Sequence, residues 1–187
     1  MLRHRSGVIG EGEVGFAETP DGGITSSGRN GVFHGPGKCN CRAVVRSHDG
    51  GTTFNQTLDF DPVLVSPICQ ATMVNGDAAT GAGAIFHASP GHGTPKESKS
   101  PPDGRASGTV RRSTDGGATW TSVVLNGNGA YSYSCLAKVD ESYIGLAWET
   151  VLPGSGVPDK WSANNVVFTR IPQNFSGALP ASVSYEH

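Results

Sequence analysis

Ser47-His48-Asp49-Gly50-Gly51-Thr52-Thr53-Phe54 returns later in the chain as Ser113-Thr114-Asp115-Gly116-Gly117-Ala118-Thr119-Trp120. The shared pattern is Ser-x-Asp-Gly-Gly-x-Thr-aromatic, and its recurrence marks an internal repeat. Each octapeptide lies between runs of strand composition: 42–46 and 54–58 around the first, 109–112 and 120–125 around the second. Asp-Gly-Gly between such runs predicts a hairpin, because glycine reaches positive φ cheaply and Asp can bond its own turn backbone. Ser and Thr add local hydrogen bonds, and the aromatic opens the return strand. One carboxylate per box is too few for calcium, so no metal is expected, and no cofactor is called for.

Working outward, the boxes belong to larger units. The first is preceded by 13–18, a Pro20-Asp21-Gly22-Gly23 turn and 24–29. The second is preceded by 69–74, a turn region Asn75-Gly76-Asp77 and 82–88. A third unit runs through 133–139, a turn at Asp140-Glu141-Ser142, then 143–148 and 166–171. Each complete unit therefore predicts four antiparallel strands, the blade of an all-β propeller. The blades are expected at 13–60, 69–125 and 131–172, with a surface insertion over 90–107. The third shows three strands and no box, and nothing in the chain is expected to supply its fourth strand. Three blades cannot close a ring that ordinarily needs roughly 4–8. The expectation is an open, incomplete propeller, with the missing N-terminal blades elsewhere in the same protein.

Composition agrees. The 27 glycines and 12 prolines make up about a fifth of the 187 residues, as many short elements joined by tight turns require. No apolar run approaches the ~18 residues of a membrane span, and no apolar h-region follows residues 1–5. A net charge of -2 removes any general electrostatic case for nucleic acid or an acidic membrane. Cys39, Cys41, Cys69 and Cys135 are too few for a disulfide framework, and one intervening residue makes a Cys39–Cys41 bridge awkward. Free thiols are expected. Two sequons, Asn55-Gln56-Thr57 and Asn174-Phe175-Ser176, permit a secreted or lumenal life, although no signal peptide is visible.

Antiparallel connectivity sorts the chemistry by rim. The start of strand one, the end of strand two and the start of strand three share one end of a blade. Glu13, Arg29, Arg105, Tyr133 and Glu149 should therefore project from one rim, with both boxes on the other. Two guanidinium groups at one mouth suit a carboxylate or phosphate, which their planar forks match bidentately. A phenol, ordinarily titrating near pH 10, is a poor nucleophile alone, and an adjacent carboxylate can take its proton during attack.

These residues resemble the sialidase (neuraminidase) family. The octapeptides, through Ser47, Asp49, Gly51 and Phe54 and again Ser113, Asp115, Gly117 and Trp120, resemble its Asp-boxes. Glu13-Val-Gly-Phe-Ala-Glu18, then Asp21-Gly22-Gly23 and Arg29-Asn30, is similar to the segment carrying the catalytic glutamate and second arginine of the triad. Arg105-Ala-Ser-Gly-Thr-Val110 resembles the third-arginine segment, and Tyr133-Ser134-Cys135-Leu136 the nucleophile motif, which Tyr131 does not fit. Ile144-Gly-Leu-Ala-Trp-Glu149 is similar to the strand whose glutamate steadies the first arginine, and Cys69-Gln70-Ala71 to the strand before the insertion.

The resemblance implies a six-bladed propeller that releases terminal α-linked sialic acid from glycoconjugates with retention. Tyr133 would be the nucleophile and Glu13 its base, while Arg29 and Arg105 would hold the substrate carboxylate. The family's first arginine and its acid/base aspartate have no counterpart here, and Arg3 and Arg5 lie too close to Glu13 to replace them. The chain alone is thus expected to be feeble. Two other functions share these features: a non-catalytic Asp-box module binding glycans or proteins, and a trans-sialidase.

Overall fold

The computed structural model describes residues 12–31, 38–55, 57–76, 83–91, 105–127, 129–151, 165–177 and 185–186. Their regular structure is all strand: β1 (Gly15–Glu18), β2 (Ile24–Gly28), β3 (Cys41–Ser47), β4 (Asp59–Val65), β5 (Thr72–Asn75), β6 (Ile85–Pro90), β7 (Gly108–Ser113), β8 (Thr121–Val124), β9 (Ser134–Lys138), β10 (Tyr143–Thr150), β11 (Asn165–Pro172) and β12 (Tyr185–Glu186). They form three four-stranded sheets in the orders β1-β2-β3-β4, β5-β6-β7-β8 and β9-β10-β11-β12. Every pairing is antiparallel. β5 packs against both β1 and β9, so the first strand of each sheet lies innermost. These are propeller blades standing side by side.

The blades are fastened differently. Between the second and third lies an apolar core of Phe86, Val110, Tyr131, Leu136, Ile144, Leu146, Trp148 and Ile171. Tyr131 stacks on Trp148 at a centroid separation of 5.2 Å. Between the first and second the apolar cluster is small, Ala17, Met73 and Ile85 with Trp120 against it. Polar contacts do the rest of that joint: Thr25 Oγ1 donates to Gly116 O, Arg46 Nη2 to Gly117 O and Trp120 Nε1 to Asp61 Oδ2.

The two boxes close alike. Asp49 Oδ1 accepts from Ser47 Oγ at 2.7 Å and Thr53 N at 2.8 Å, and Oδ2 accepts from Thr53 Oγ1 at 2.7 Å. Asp115 repeats this with Ser113 and Thr119 at 2.7, 2.8 and 2.6 Å. Ser47 Oγ and Ser113 Oγ each accept an N–H, from Gly51 and Gly117, whose φ angles are 86° and 88°. Side chains that satisfy a turn's backbone explain why these residue types recur at fixed offsets.

Several expectations need correcting. Strand four of the first blade is 59–65, not 54–58. The Asn55 side chain accepts from Arg46 N and the Asn55 main-chain N–H donates to Arg46 O, which ends the box and postpones the strand. The third blade does acquire a fourth strand, because Tyr185 and Glu186 pair with Thr169 and Phe168. Cys39 and Cys41 are bridged, with Asn40 between them at φ 51° turning the chain enough to bring the thiols together. Cys69 and Cys135 are free. Of the expected insertion, Pro90 ends β6, Ala106 forms a bridge to Ala130, and residues 92–104 lie outside the described residues.

Candidate active site

Glu13 precedes β1 by two residues and adopts φ 44°, a left-handed conformation that a residue other than glycine rarely takes. Its carboxylate accepts from Arg29 Nη1 at 2.6 Å. Arg29 immediately follows β2, and its backbone N–H donates to Gly12 O, so the two ends of one hairpin present the acid and the base together. The hydrogen bond to Glu13 holds the Arg29 guanidinium above its usual range, aided by the Coulomb fields of Glu13, Tyr133 and Cys69.

Tyr133 lies one residue before β9 and is 38% exposed. The Arg105 guanidinium carbon lies over its ring, 5.2 Å from the centroid, a cation–π geometry. Arg105 precedes β7 and also donates to Ile68 O and Ser132 Oγ, both at 3.4 Å. Glu149, near the end of β10, accepts from Tyr133 N through Oε2 at 3.3 Å, while its own N–H donates to Tyr133 O. Glu149 thus holds the tyrosine's main chain. By strand direction all five residues stand on one rim, and a cleft between the first and second blades, about 360 Å³ and lined by Thr19, Asp21, His48 and Asp115, opens on the other.

The structure therefore pairs Glu13 with Arg29, the Tyr133 ring with Arg105 and the Tyr133 main chain with Glu149. Among the described residues no hydrogen bond joins the Glu13 carboxylate to the Tyr133 hydroxyl; Glu13 uses Arg29 instead. Burial pushes the Cys69 thiol upward, and the charges of Arg105, Glu13 and Arg29 also act on it.

The sequence reading missed the site's floor. Arg42, 1% exposed, donates through Nη1 to Cys69 O, through Nη2 to Glu13 O and Ser27 O, and through Nε to Ser27 Oγ. Arg111, its buried neighbour on the second blade, donates to Ser89 Oγ at 2.9 Å and Val65 O at 3.1 Å. Burial pulls both guanidinium groups down to about 10. His87, opposite Arg111 on β6, bonds Ser27 Oγ, and burial, then Arg111 and Arg42, holds its imidazole well below the usual range. The signal available was position: Arg42 and Arg111 stand in strands whose other residues are buried, apart from the half-buried Arg46 and Arg112.

No family model matches the chain. Among curated proteins, a sialidase of Bacteroides fragilis (strain YCH46) is 28% identical over 115 residues, 58% of this chain and 20% of that protein. Among solved structures, a Hadza microbial sialidase aligns with a TM-score of 0.52 at 25% identity, over 69% of this chain and 23% of its own. The intramolecular trans-sialidase of Ruminococcus gnavus, solved with oseltamivir carboxylate, aligns at 0.61 and 20% identity, over 90% and 34%. The chain spans a fifth to a third of these relatives. Its fold is that of a sialidase β-propeller, of which the three blades make up part.

Proposed function

We propose that this chain supplies the nucleophile and much of the carboxylate clamp of an exo-α-sialidase, the remaining blades and the leaving-group acid coming from the rest of the protein. Support comes above all from one observation: strand direction puts on a single rim a carboxylate bound to one guanidinium and a phenol covered by another. A sialoside carries a carboxylate at its anomeric carbon, which repels an anionic nucleophile and suits a neutral phenol. Arg29 and Arg105 would bind that carboxylate bidentately. Tyr133 oxygen then attacks the anomeric carbon as the bond to the leaving oxygen breaks, and Glu13 receives the phenol proton once the substrate takes over part of Arg29. Water resolves the tyrosyl intermediate by the reverse path, giving retention. Protonation of the leaving group, worth ~10²–10⁴-fold, needs a residue outside these blades. The binding-module reading leaves the Glu13–Arg29 pair and an exposed tyrosine on the same rim without a purpose.

The test is hydrolysis of an aryl α-sialoside by the whole protein carrying this chain. Tyr133→Phe should lower kcat by at least about 10²-fold with KM little changed, and Arg105→Ala should raise KM. Full activity in Tyr133→Phe, or equal rates on a neutral aryl β-galactoside, would refute the reading.

A further inference from the structure

Among the described residues, each innermost strand pairs with only one neighbour, so its axial edge keeps main-chain groups without a strand partner. Two carboxamides fill that role. At the box rim, Asn75 at the end of β5 accepts from Glu18 N through Oδ1 at 2.9 Å and donates to Glu18 O through Nδ2 at 2.6 Å. At the active-site rim, Gln70 just before β5 accepts from Ser134 N through Oε1 at 3.1 Å and donates to Ser134 O through Nε2 at 3.0 Å. In each case one side-chain amide pairs with both main-chain groups of a single residue, as a neighbouring strand would.

Ser134 directly follows Tyr133. The tyrosine's own N–H and carbonyl are held from the other side by Glu149. Gln70 and Glu149 thus grip opposite edges of the segment that carries the phenol. Gln70 is itself well anchored: Arg111 bonds Val65 O, Arg105 bonds Ile68 O and Arg42 bonds Cys69 O, so three guanidinium groups fix the main chain leading to it. The phenol's height above the floor is therefore set from the second blade, across the joint, by a residue that need not touch substrate.

Resting on the sialidase reading, we propose that Gln70 is a positioning residue for Tyr133, its amide clamping Ser134 so that the phenol faces Arg29 and Arg105 in the attacking geometry. Asn75 is a control built into the same strand, since it makes the same clamp at the rim without the chemistry. In the whole protein, Gln70→Ala should lower kcat roughly 10–100-fold with KM within about 3-fold, because an ångström of displacement costs that much in an oriented attack. Asn75→Ala should leave both within about 2-fold. Gln70→Glu, which keeps the acceptor for Ser134 N and loses the donor, covers the case in which the alanine variant fails to fold, and should fall between.

A second readout needs no activity. With 3-fluorotyrosine in place of tyrosine throughout, the Tyr133 fluorine signal, assigned by its loss in Tyr133→Phe, should shift or broaden in Gln70→Ala and Gln70→Glu and stay unchanged in Asn75→Ala. Equal kcat losses at Gln70 and Asn75, or an unmoved Tyr133 signal, would overturn the proposal. Loss of sialoside activity in the unmutated protein would sink the functional reading alone, leaving the fluorine signal to decide the clamp.

Discussion

Adding one methyl group at Gly108 tests how the site is supported from below. A Cβ there would lie 2.0 Å from Tyr131 Cδ2, 2.5 Å from Cε2 and 2.7 Å from Cγ. Carbon atoms pack at ~3.5–4.0 Å, so the ring would have to retreat by about 1.5 Å. It has nowhere to go. Tyr131 is fully buried, its ring is stacked on Trp148, and its N–H is bonded to Arg105 O at 3.0 Å. Overpacking ordinarily costs ~1–3 kcal/mol, and a rigid ring between fixed neighbours puts Gly108→Ala at the upper end, about 3 kcal/mol. For a chain of this size that lowers Tm by about 6–12 °C. Urea unfolding followed by tryptophan fluorescence measures it, with Trp148 as a reporter in the stack. Tyr131→Leu should partly relieve the clash, so the double variant should be at least ~1 kcal/mol more stable than the sum of the single changes. A Gly108→Ala protein within ~0.5 kcal/mol of the unmutated one, or strict additivity, would refute the packing argument.

His87 and the second box both lose stability on acidification, but in different pH windows. Burial between Arg42 and Arg111 keeps the His87 imidazole neutral in the folded chain, while the unfolded chain takes up a proton below its ordinary value near 6.5. Stability should therefore fall as pH drops below that value, by about 1.4 kcal/mol per pH unit from this residue, and His87→Gln should flatten the slope; an unchanged slope in the variant counts against it. For Asp115, burial pushes the carboxyl up, but the Thr119 hydroxyl and N–H and the Ser113 hydroxyl overcome this and hold it at about 2. Its contribution is present above the ordinary carboxylate value and disappears only as pH falls through about 2. Asp115→Asn should then cost ~1–2 kcal/mol, allowing for solvent exposure, equally at pH 5 and pH 8; a loss seen only at pH 8 would contradict the assigned bonds.

The boxes were legible because their turn needs particular groups at particular offsets: a serine oxygen for two N–H groups, a carboxylate for the threonine, and glycine where φ is near +90°. Blade topology followed from them. Strand four of the first blade was misplaced because Phe54 and Leu58 resemble a strand, whereas β4 contains Asp59, Asp61 and Pro62, which suit an edge. The buried basic layer was illegible for a deeper reason. Arginine in a strand is ordinarily read as facing water, yet Arg42 and Arg111 face carbonyl oxygens and hydroxyls of the adjoining chain, which composition does not reveal. Nor could strand direction tell that Glu13 would turn to Arg29 rather than to Tyr133.

The backbone at Glu13 shows what the buried arginine does. Its left-handed conformation costs about 1–2 kcal/mol, and glycine would adopt it freely. Three bonds offset that cost: Arg29 N to Gly12 O, Arg29 Nη1 to Glu13 Oε2, and Arg42 Nη2 to Glu13 O. Without the turn, Glu13 would extend β1, where side chains alternate between the exposed Phe16 and the buried Ala17, and its carboxylate would leave the mouth. A cation inside a joint between blades is expensive, and hydrogen bonds to its donors offset that cost. Arg42 makes four of them, to Ser27, Glu13 and Cys69. Those three residues lie in the segments that deliver Arg29, Glu13 and Gln70. One buried guanidinium thus ties together the chain segments from which Glu13, Arg29 and Gln70 project.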